Sequence, residues 1–207
     1  NSTPEARATL WWYEEDKRAF RDAAWISATE FALAGDGGVY IYNFNPANQS
    51  AVRTDWIHAK QIVYNLDISR DGQFLTFDNS KIVSVWDIAS KDITSTLSGH
   101  SDQVISLSYS PMGNYLATSS IDKSVKIWGA KTPTSIAYIK NNTDWILSLA
   151  FSPDDTVLVG GSGDGSLNLW NPSNGESIGI IQAHENEIYV VQFPPVGDWF
   201  VSGGADG

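Results

Sequence analysis

Cysteine is absent from the 207-residue chain, which excludes disulfides and thiolate metal sites. Basic residues are few: 13 Lys and Arg stand against 24 Asp and Glu, leaving a net charge of −11. Sequence-independent binding to nucleic acid needs cations that neutralise phosphates, so this balance argues against a nucleic-acid partner. The acidity either serves solubility or meets a basic protein partner. No apolar run approaches the ~18 residues of a membrane-crossing helix, and no membrane partner is expected. Helix-like periodicity is scarce too, being confined to Glu14–Asp22. What is present, 42% hydrophobic and 12% aromatic residues, describes a globular, β-rich chain with the means to build a core. Intracellular residence, cytoplasmic or nuclear, is the expectation.

The chain is organised by one period. Trp86, Trp128 and Trp170 stand 42 residues apart, each closing a short alternating segment such as Val125-Lys-Ile-Trp128. Asp122 and Asp164 each lie six residues before their tryptophan, Asp206 falls 42 residues beyond Asp164, and Asp36 lies six before Tyr42. Ser80 stands at that place ahead of Trp86. The histidines keep the same phase: His58 and His100 are 42 apart, and His184 follows 84 later. A fixed interval of this length marks a repeat architecture in which each unit buries its faces against its neighbours.

Within one period the pattern predicts four strands. Val104–Tyr109 alternates and ends at Ser110-Pro-Met-Gly113, where proline suits the first central turn position and glycine tolerates positive φ. Tyr115–Ser119 follows, then a hairpin at Ile121-Asp-Lys, a strand from Ser124 to Trp128, and an outer strand over Ser135–Ile139. Each strand carries large apolar residues on both faces, so a lone sheet would leave half of them wet. Radial stacking of small sheets meets that need.

Gly99-His100, Ser120, Asp122 and Trp128 resemble the signature of WD40 repeats. The resemblance implies an all-β fold, a β-propeller of four-stranded antiparallel blades. It also implies that histidine, hydroxyl, aspartate and tryptophan form a hydrogen-bonded tetrad fastening each blade. An indole N–H donates only, and a neutral imidazole can donate to a carboxylate while accepting from a hydroxyl, so the set can satisfy itself. Other repeats are degenerate: Ser162, Asp164 and Trp170 go with Asn142 in the histidine slot; His58 goes with Trp86 but no aspartate. His184 and Asp206 go with Gly204 in the hydroxyl slot, and Asp36 with Tyr42 but no histidine.

The expected organisation is a single propeller domain or part of one over 1–207. An outer strand at 9–13 belongs to a preceding or closing blade. Blades follow at 19–56, 57–98, 99–140 and 141–182, with an incomplete blade at 183–207. About five blades are visible where the family commonly has seven or more. Either the chain is part of a larger propeller, its other blades coming from a longer chain or another chain, or Thr9–Tyr13 closes a five-bladed ring. An open blade face exposing ~400 Å² of apolar surface forfeits about 10 kcal/mol, which favours a covered face.

Catalytic signals are weak. All three histidines occupy tetrad-type positions, and the phased aspartates are committed with them. Glu14, Glu15, Asp154 and Asp155 are read as solvated. Gly161-Ser-Gly-Asp-Gly165 resembles a phosphate loop, but it leads into a strand and lacks the lysine, so it reads as a hairpin turn. Asn48-Gln-Ser50 and Asn141-Asn-Thr143 match the glycosylation pattern only as a polar-loop chain would by chance. No catalytic residue, metal ligand or cofactor is assigned. The resemblance implies instead that partners bind the narrow face, at Gln103, Ile105, Ile121, Trp145, Leu147, Gly163, Glu187, Tyr189 and Ala205. Trp145 is the leading candidate, because a tryptophan beside Ile146 points away from the face that Ile146 buries; packing between blades is its alternative. Trp11, Trp25, Trp56 and Trp199 are assigned to packing, with Trp56 partly exposed. A protein-interaction scaffold is the expected function. A ligand sensor or enzyme using the channel, and a purely architectural domain, are the alternatives.

Overall fold

The computed structural model describes residues 19–132, 134–140 and 142–207, and every regular element in it is a strand. The outer strand expected at 9–13 lies outside the described residues, with Trp11, Glu14, Glu15 and Asn141. Blade 1 contains β1 (Phe20–Trp25), β2 (Glu30–Gly35), β3 (Gly38–Asn45) and β4 (Ser50–His58). Blade 2 contains β5 (Leu66–Ile68), β6 (Phe74–Asn79), β7 (Ile82–Asp87) and β8 (Asp92–Leu97). Blade 3 contains β9 (Val104–Tyr109), β10 (Tyr115–Ser120), β11 (Val125–Gly129) and β12 (Ser135–Ile139). Blade 4 contains β13 (Ile146–Phe151), β14 (Leu158–Ser162), β15 (Ser166–Trp170) and β16 (Ser177–Gln182). Blade 5 shows β17 (Ile188–Gln192) paired with β18 (Val201–Gly204). Each sheet is an antiparallel meander. The helix-like period over Glu14–Asp22 does not become a helix where it is described, because β1 starts at Phe20 and pairs with β2.

Apolar residues on both faces of each sheet are buried between sheets rather than within one. Val83, Val85 and Leu97 of blade 2 meet Val104, Leu107, Leu116 and Trp128 of blade 3. Ala117, Val125 and Ile127 of blade 3 meet Ile146, Phe151, Leu158 and Trp170 of blade 4. Blade 4 in turn sets Ala150, Val159 and Leu167 against Ile188 and Val191 of blade 5. The inner strands β1, β5, β9, β13 and β17 lie side by side in that order, and the described sheets form an open, partial propeller.

Polar contacts stitch the same seams. Asp22 Oδ2 accepts from Leu66 N at 2.9 Å, Asp67 Oδ2 from Tyr109 N at 2.7 Å, and Ser148 Oγ from Val191 N at 3.0 Å, each link reaching the next blade. At the opposite end, Asp155 accepts from Ser110 Oγ (2.6 Å), Met112 N (3.0 Å) and Asn114 Nδ2 (3.1 Å) of blade 3. Asp155 is therefore buried and structural, contrary to its reading as a solvated acid.

Two local features separate the blades. A bulge falls between Val85 and Trp86, Ile127 and Trp128, and Leu169 and Trp170, and also between Ile41 and Tyr42, so Tyr42 does hold the tryptophan position of blade 1. The central hairpins differ. Gly35 faces Gly38 and Asn79 faces Ile82 across two-residue turns, whereas Ser119 faces Val125 and Gly161 faces Leu167 across five residues. Asp36 thus sits in the tight turn Asp36-Gly37 and is no tetrad aspartate. In blade 2 the turn Ser80-Lys81 has lost the aspartate position, rather than filling it with serine.

Trp25 in the first blade and Trp199 in the last are 55% and 57% exposed in the described arc. Trp25 keeps only edge contacts with Phe31 and Phe44. Trp56 is 45% exposed, stacked on Tyr40 and His58.

Candidate protein-interaction face

Three equivalent backbone hydrogen bonds build one end of the arc. Ile121 N donates to Gln103 O (2.9 Å), Gly163 N to Trp145 O (2.8 Å) and Ala205 N to Glu187 O (2.9 Å). Each joins a central hairpin to the residue ahead of the inner strand, so Gln103 and Ile121, Trp145 and Gly163, and Glu187 and Ala205 stand in pairs on successive blades. Ile105 and Leu147 lie one strand step further in and are half-buried, whereas Tyr189, the equivalent residue of blade 5, is exposed. Trp145 is 44% exposed. A polar rim adjoins it: Lys123 Nζ lies 3.1 Å from Asp144 Oδ1 and donates to Thr143 O at 3.0 Å, tying the blade 3 hairpin to the approach of β13.

In blade 3 this end is fixed by a buried network whose hydroxyl is Thr118, not Ser120. Trp128 Nε1 donates to Thr118 Oγ1 at 3.1 Å, and His100 Nε2 lies 2.8 Å from the same oxygen. His100 Nδ1 faces Ser124 Oγ at 3.0 Å and Asp122 Oδ2 at 3.3 Å, while Ser101 N donates to Asp122 at 2.7 Å. One arrangement satisfies every atom: the Thr118 hydroxyl accepts from the indole and donates to Nε2 of a neutral imidazole, whose Nδ1–H turns to Asp122. Burial lowers the pKa of His100 against the pull of Asp122, which suits the neutral ring. Burial also disfavours the charge on Asp122, yet the Ser124 hydroxyl and the Ser101 and Ser124 N–H groups outweigh it and hold its pKa at about 2. Ser120 instead donates to Asp102 O at 2.9 Å and accepts from Asp122 N at 3.1 Å.

The other blades vary this theme. Blade 5 repeats it with His184 Nδ1 on Asp206 Oδ1 (2.6 Å) and Nε2 on Ser202 Oγ (2.9 Å), so Ser202 rather than Gly204 supplies the hydroxyl. In blade 4, Gly160 holds the Thr118 position, and a Cβ there would come within 2.7 Å of the Trp170 ring: close packing replaces a hydrogen bond. Ser162 is fully buried but bonds only locally to Asp164 N, at 3.4 Å. Asp164 is served by Ser166 and Thr143, and its pKa is held at about 2 although burial opposes the charge. Asn142, in the histidine slot, donates to Lys123 O. In blade 2, Phe77 takes the hydroxyl position, and His58 turns away to Ala59 O and the Trp56 ring.

Sequence phase missed the blade 2 part of this face. A notch of about 290 Å³ lies there between Gln61, Ile62, Tyr64, Ser80 and Gln103. The shorter hairpin of blade 2 shifts its inner strands out of the 42-residue phase, so Tyr64 matches no candidate in the later repeats. The available signal was a lone acid in an apolar strand, Asp78 in Phe74-Leu-Thr-Phe-Asp-Asn79. Among the described residues no cluster of His, Asp and Glu has the makings of a metal site.

The sequence profile of the WD domain, G-beta repeat, matches residues 91–129, 133–171 and 175–207. The chain is also 32% identical over 105 residues to TBC1 domain family member 31 of Xenopus tropicalis, and 33% identical over 105 residues to the protein of that name from Xenopus laevis. Each match covers 50% of this chain and 10% of the relative, so the matched half of the chain corresponds to about a tenth of those proteins.

Proposed function

This chain belongs to the WD40 family, and on that premise we propose that it is a scaffold that engages a protein partner across the face headed by Gln103, Trp145 and Glu187. Repeats of this family serve in general as non-enzymatic interaction scaffolds. The observation that carries the reading is the half-exposed Trp145, set beside a buried, hydrogen-bonded framework and a charged rim of Lys123, Asp144 and Asp164. A large aromatic on a rigid support, ringed by polar groups, is the composition of a binding anchor. Exposed Tyr189 on the adjacent blade extends the apolar area, and the acidic balance of the chain favours a basic partner surface. That the arc works as one module of a larger protein, its remaining blades supplied by the same or another chain, is part of this proposal; relatives ten times the matched length support it.

The test uses a photo-reactive amino acid placed at Trp145 or Tyr189, with Met112 near the Asp155 clasp as control. A partner cross-linked from the first two positions and not from Met112 is the expected result. Trp145→Ala should weaken binding of that partner at least tenfold with an unchanged circular dichroism spectrum, in line with the ~2 kcal/mol of a hot spot. Unchanged affinity in the stable variant would assign the face to architecture.

A further inference from the structure

Asp78 ends the apolar run of β6 as a fully buried carboxyl. Its Oδ1 accepts from Tyr64 N at 2.9 Å and Asn65 N at 2.5 Å. Its Oδ2 and the Asn65 Nδ2 beside it are buried without a hydrogen bond of ordinary geometry, although the nearby amide favours the charged carboxyl. An ionised oxygen so poorly paired in such a place is strongly disfavoured by desolvation.

The repeat supplies the missing comparison. Asp78 faces Val83 in the register of blade 2, and Ser119 faces Val125 in that of blade 3, so the two occupy one structural position. Ser119 Oγ donates across the seam to the carbonyl of Ile146, the first residue of β13, at 2.6 Å. The counterpart of Ile146 is Val104, the first residue of β9, and it is already held to the hairpin after Asp78, its N–H donating to Ser80 O at 2.8 Å. We propose that Asp78 is a proton-operated latch between blades 2 and 3: protonated on Oδ2, it donates to the carbonyl of Val104 as Ser119 does to Ile146, and loss of the proton sets two acceptors against each other.

The surroundings suit a proton rather than a counter-ion. The approach to β5 presents main-chain donors and the Tyr64 phenol, whose ring lies under the Arg21 guanidinium, 5.5 Å from the centroid. On the inner strands, Asp22 and Asp67 are engaged with Leu66 and Tyr109. The hairpin contributes exposed Lys81, and the approach to β9 contributes exposed Asp102 and uncharged Gln103. Burial is the dominant influence on Asp78, opposed by the Asn65 and Tyr64 hydrogen bonds, and it raises the pKa to about 7. The latch would then operate across neutrality. It holds the walls of the notch, since Tyr64 N bonds to Asp78, Ser80 lies two residues beyond it and Gln103 precedes Val104. A bearing on partner binding rests on the function proposed above; the latch itself does not.

The test has two arms on the whole chain. Carbon-13 NMR of the Asp78 carboxyl in the unmodified protein should show titration between pH 6 and 8; titration near pH 4 would overturn the proposal by assigning Oδ2 to the Asn65 amide. Urea unfolding is then compared at pH 5 and pH 8 for the unmodified chain, Asp78→Asn and Asp78→Ser. Both side chains donate a hydrogen bond without titrating. The unmodified chain should lose more midpoint than Asp78→Asn on going to pH 8. Equal losses would overturn the latch, and Asp78→Ser repeats the comparison if the asparagine variant does not fold.

Discussion

Thr118 shows how much of the arc hangs on single hydroxyls. It serves His100 and Trp128 at once in a fully buried position, whereas Ser120 bonds a main-chain carbonyl and the N–H of Asp122 near the hairpin. Thr118→Val keeps the shape and removes both bonds, leaving a ring nitrogen and an indole N–H unpaired. The expected cost is about 2–4 kcal/mol against about 1 kcal/mol for Ser120→Ala, read as midpoint shifts in urea. A larger cost at Ser120 would return that residue to the network. Residues 118 and 120 differ by two and so share one face of β10, which is why alternation and spacing along the chain could not separate them. Depth decides: Thr118 pairs with Lys126 in the middle of the sheet, level with the two rings, while Ser120 lies beyond a register shift, at the last pair of the β9–β10 ladder. Trp145 was legible for the opposite reason, since its orientation follows from its neighbour Ile146, which is fully buried.

At the scale of the strand and hairpin, sequence periodicity located the elements well. The outer strand expected over Ser135–Ile139 and the inner strand over Val104–Tyr109 are those observed. It failed where one residue was lost inside a hairpin, because the next tryptophan returned at the expected interval and hid the loss. Blade 4 makes a related point about packing. Gly160 stands where blade 3 has Thr118, and a methyl group there would lie 2.7 Å from both Ile146 Cγ2 and the Trp170 ring. Contacts that close require the seam to open, so Gly160→Ala should destabilise by about 1–3 kcal/mol as an overpacked core does. Gly160→Thr should be worse, since the histidine slot holds Asn142, whose amide is engaged with Lys123 O, and no network forms in return. Thermal melts of the two variants decide it; a Gly160→Thr variant as stable as the parent would mean that the indole moves aside and donates its N–H to the new hydroxyl.

For the whole molecule, two sets of carboxylates pull stability in opposite directions with pH. Asp122 and Asp164 have pKa values of about 2 in the fold, below the ordinary 3.8, because hydrogen bonds to their charged forms outweigh burial. The stability they contribute is complete above pH 4 and is lost as pH falls towards 2. Asp67 and Asp78 behave in reverse: burial raises them to about 6 and about 7, so the fold binds their protons more tightly than the unfolded chain does. Their contribution is complete below pH 4 and is lost as pH climbs through 6 and 7. Self-repulsion from a net charge of −11 at pH 7 shrinks towards the isoelectric point near 4.5, adding to the same trend. The arc should therefore be most resistant to urea near pH 4–5, weaker at pH 8 and weaker again at pH 2.5. Unfolding midpoints at pH 2.5, 4.5, 6 and 8, in dilute protein to avoid isoelectric precipitation, test the profile. A maximum at pH 7 or above would mean that Asp67 and Asp78 are held ionised, by relaxation of the blade 1 to blade 3 seams.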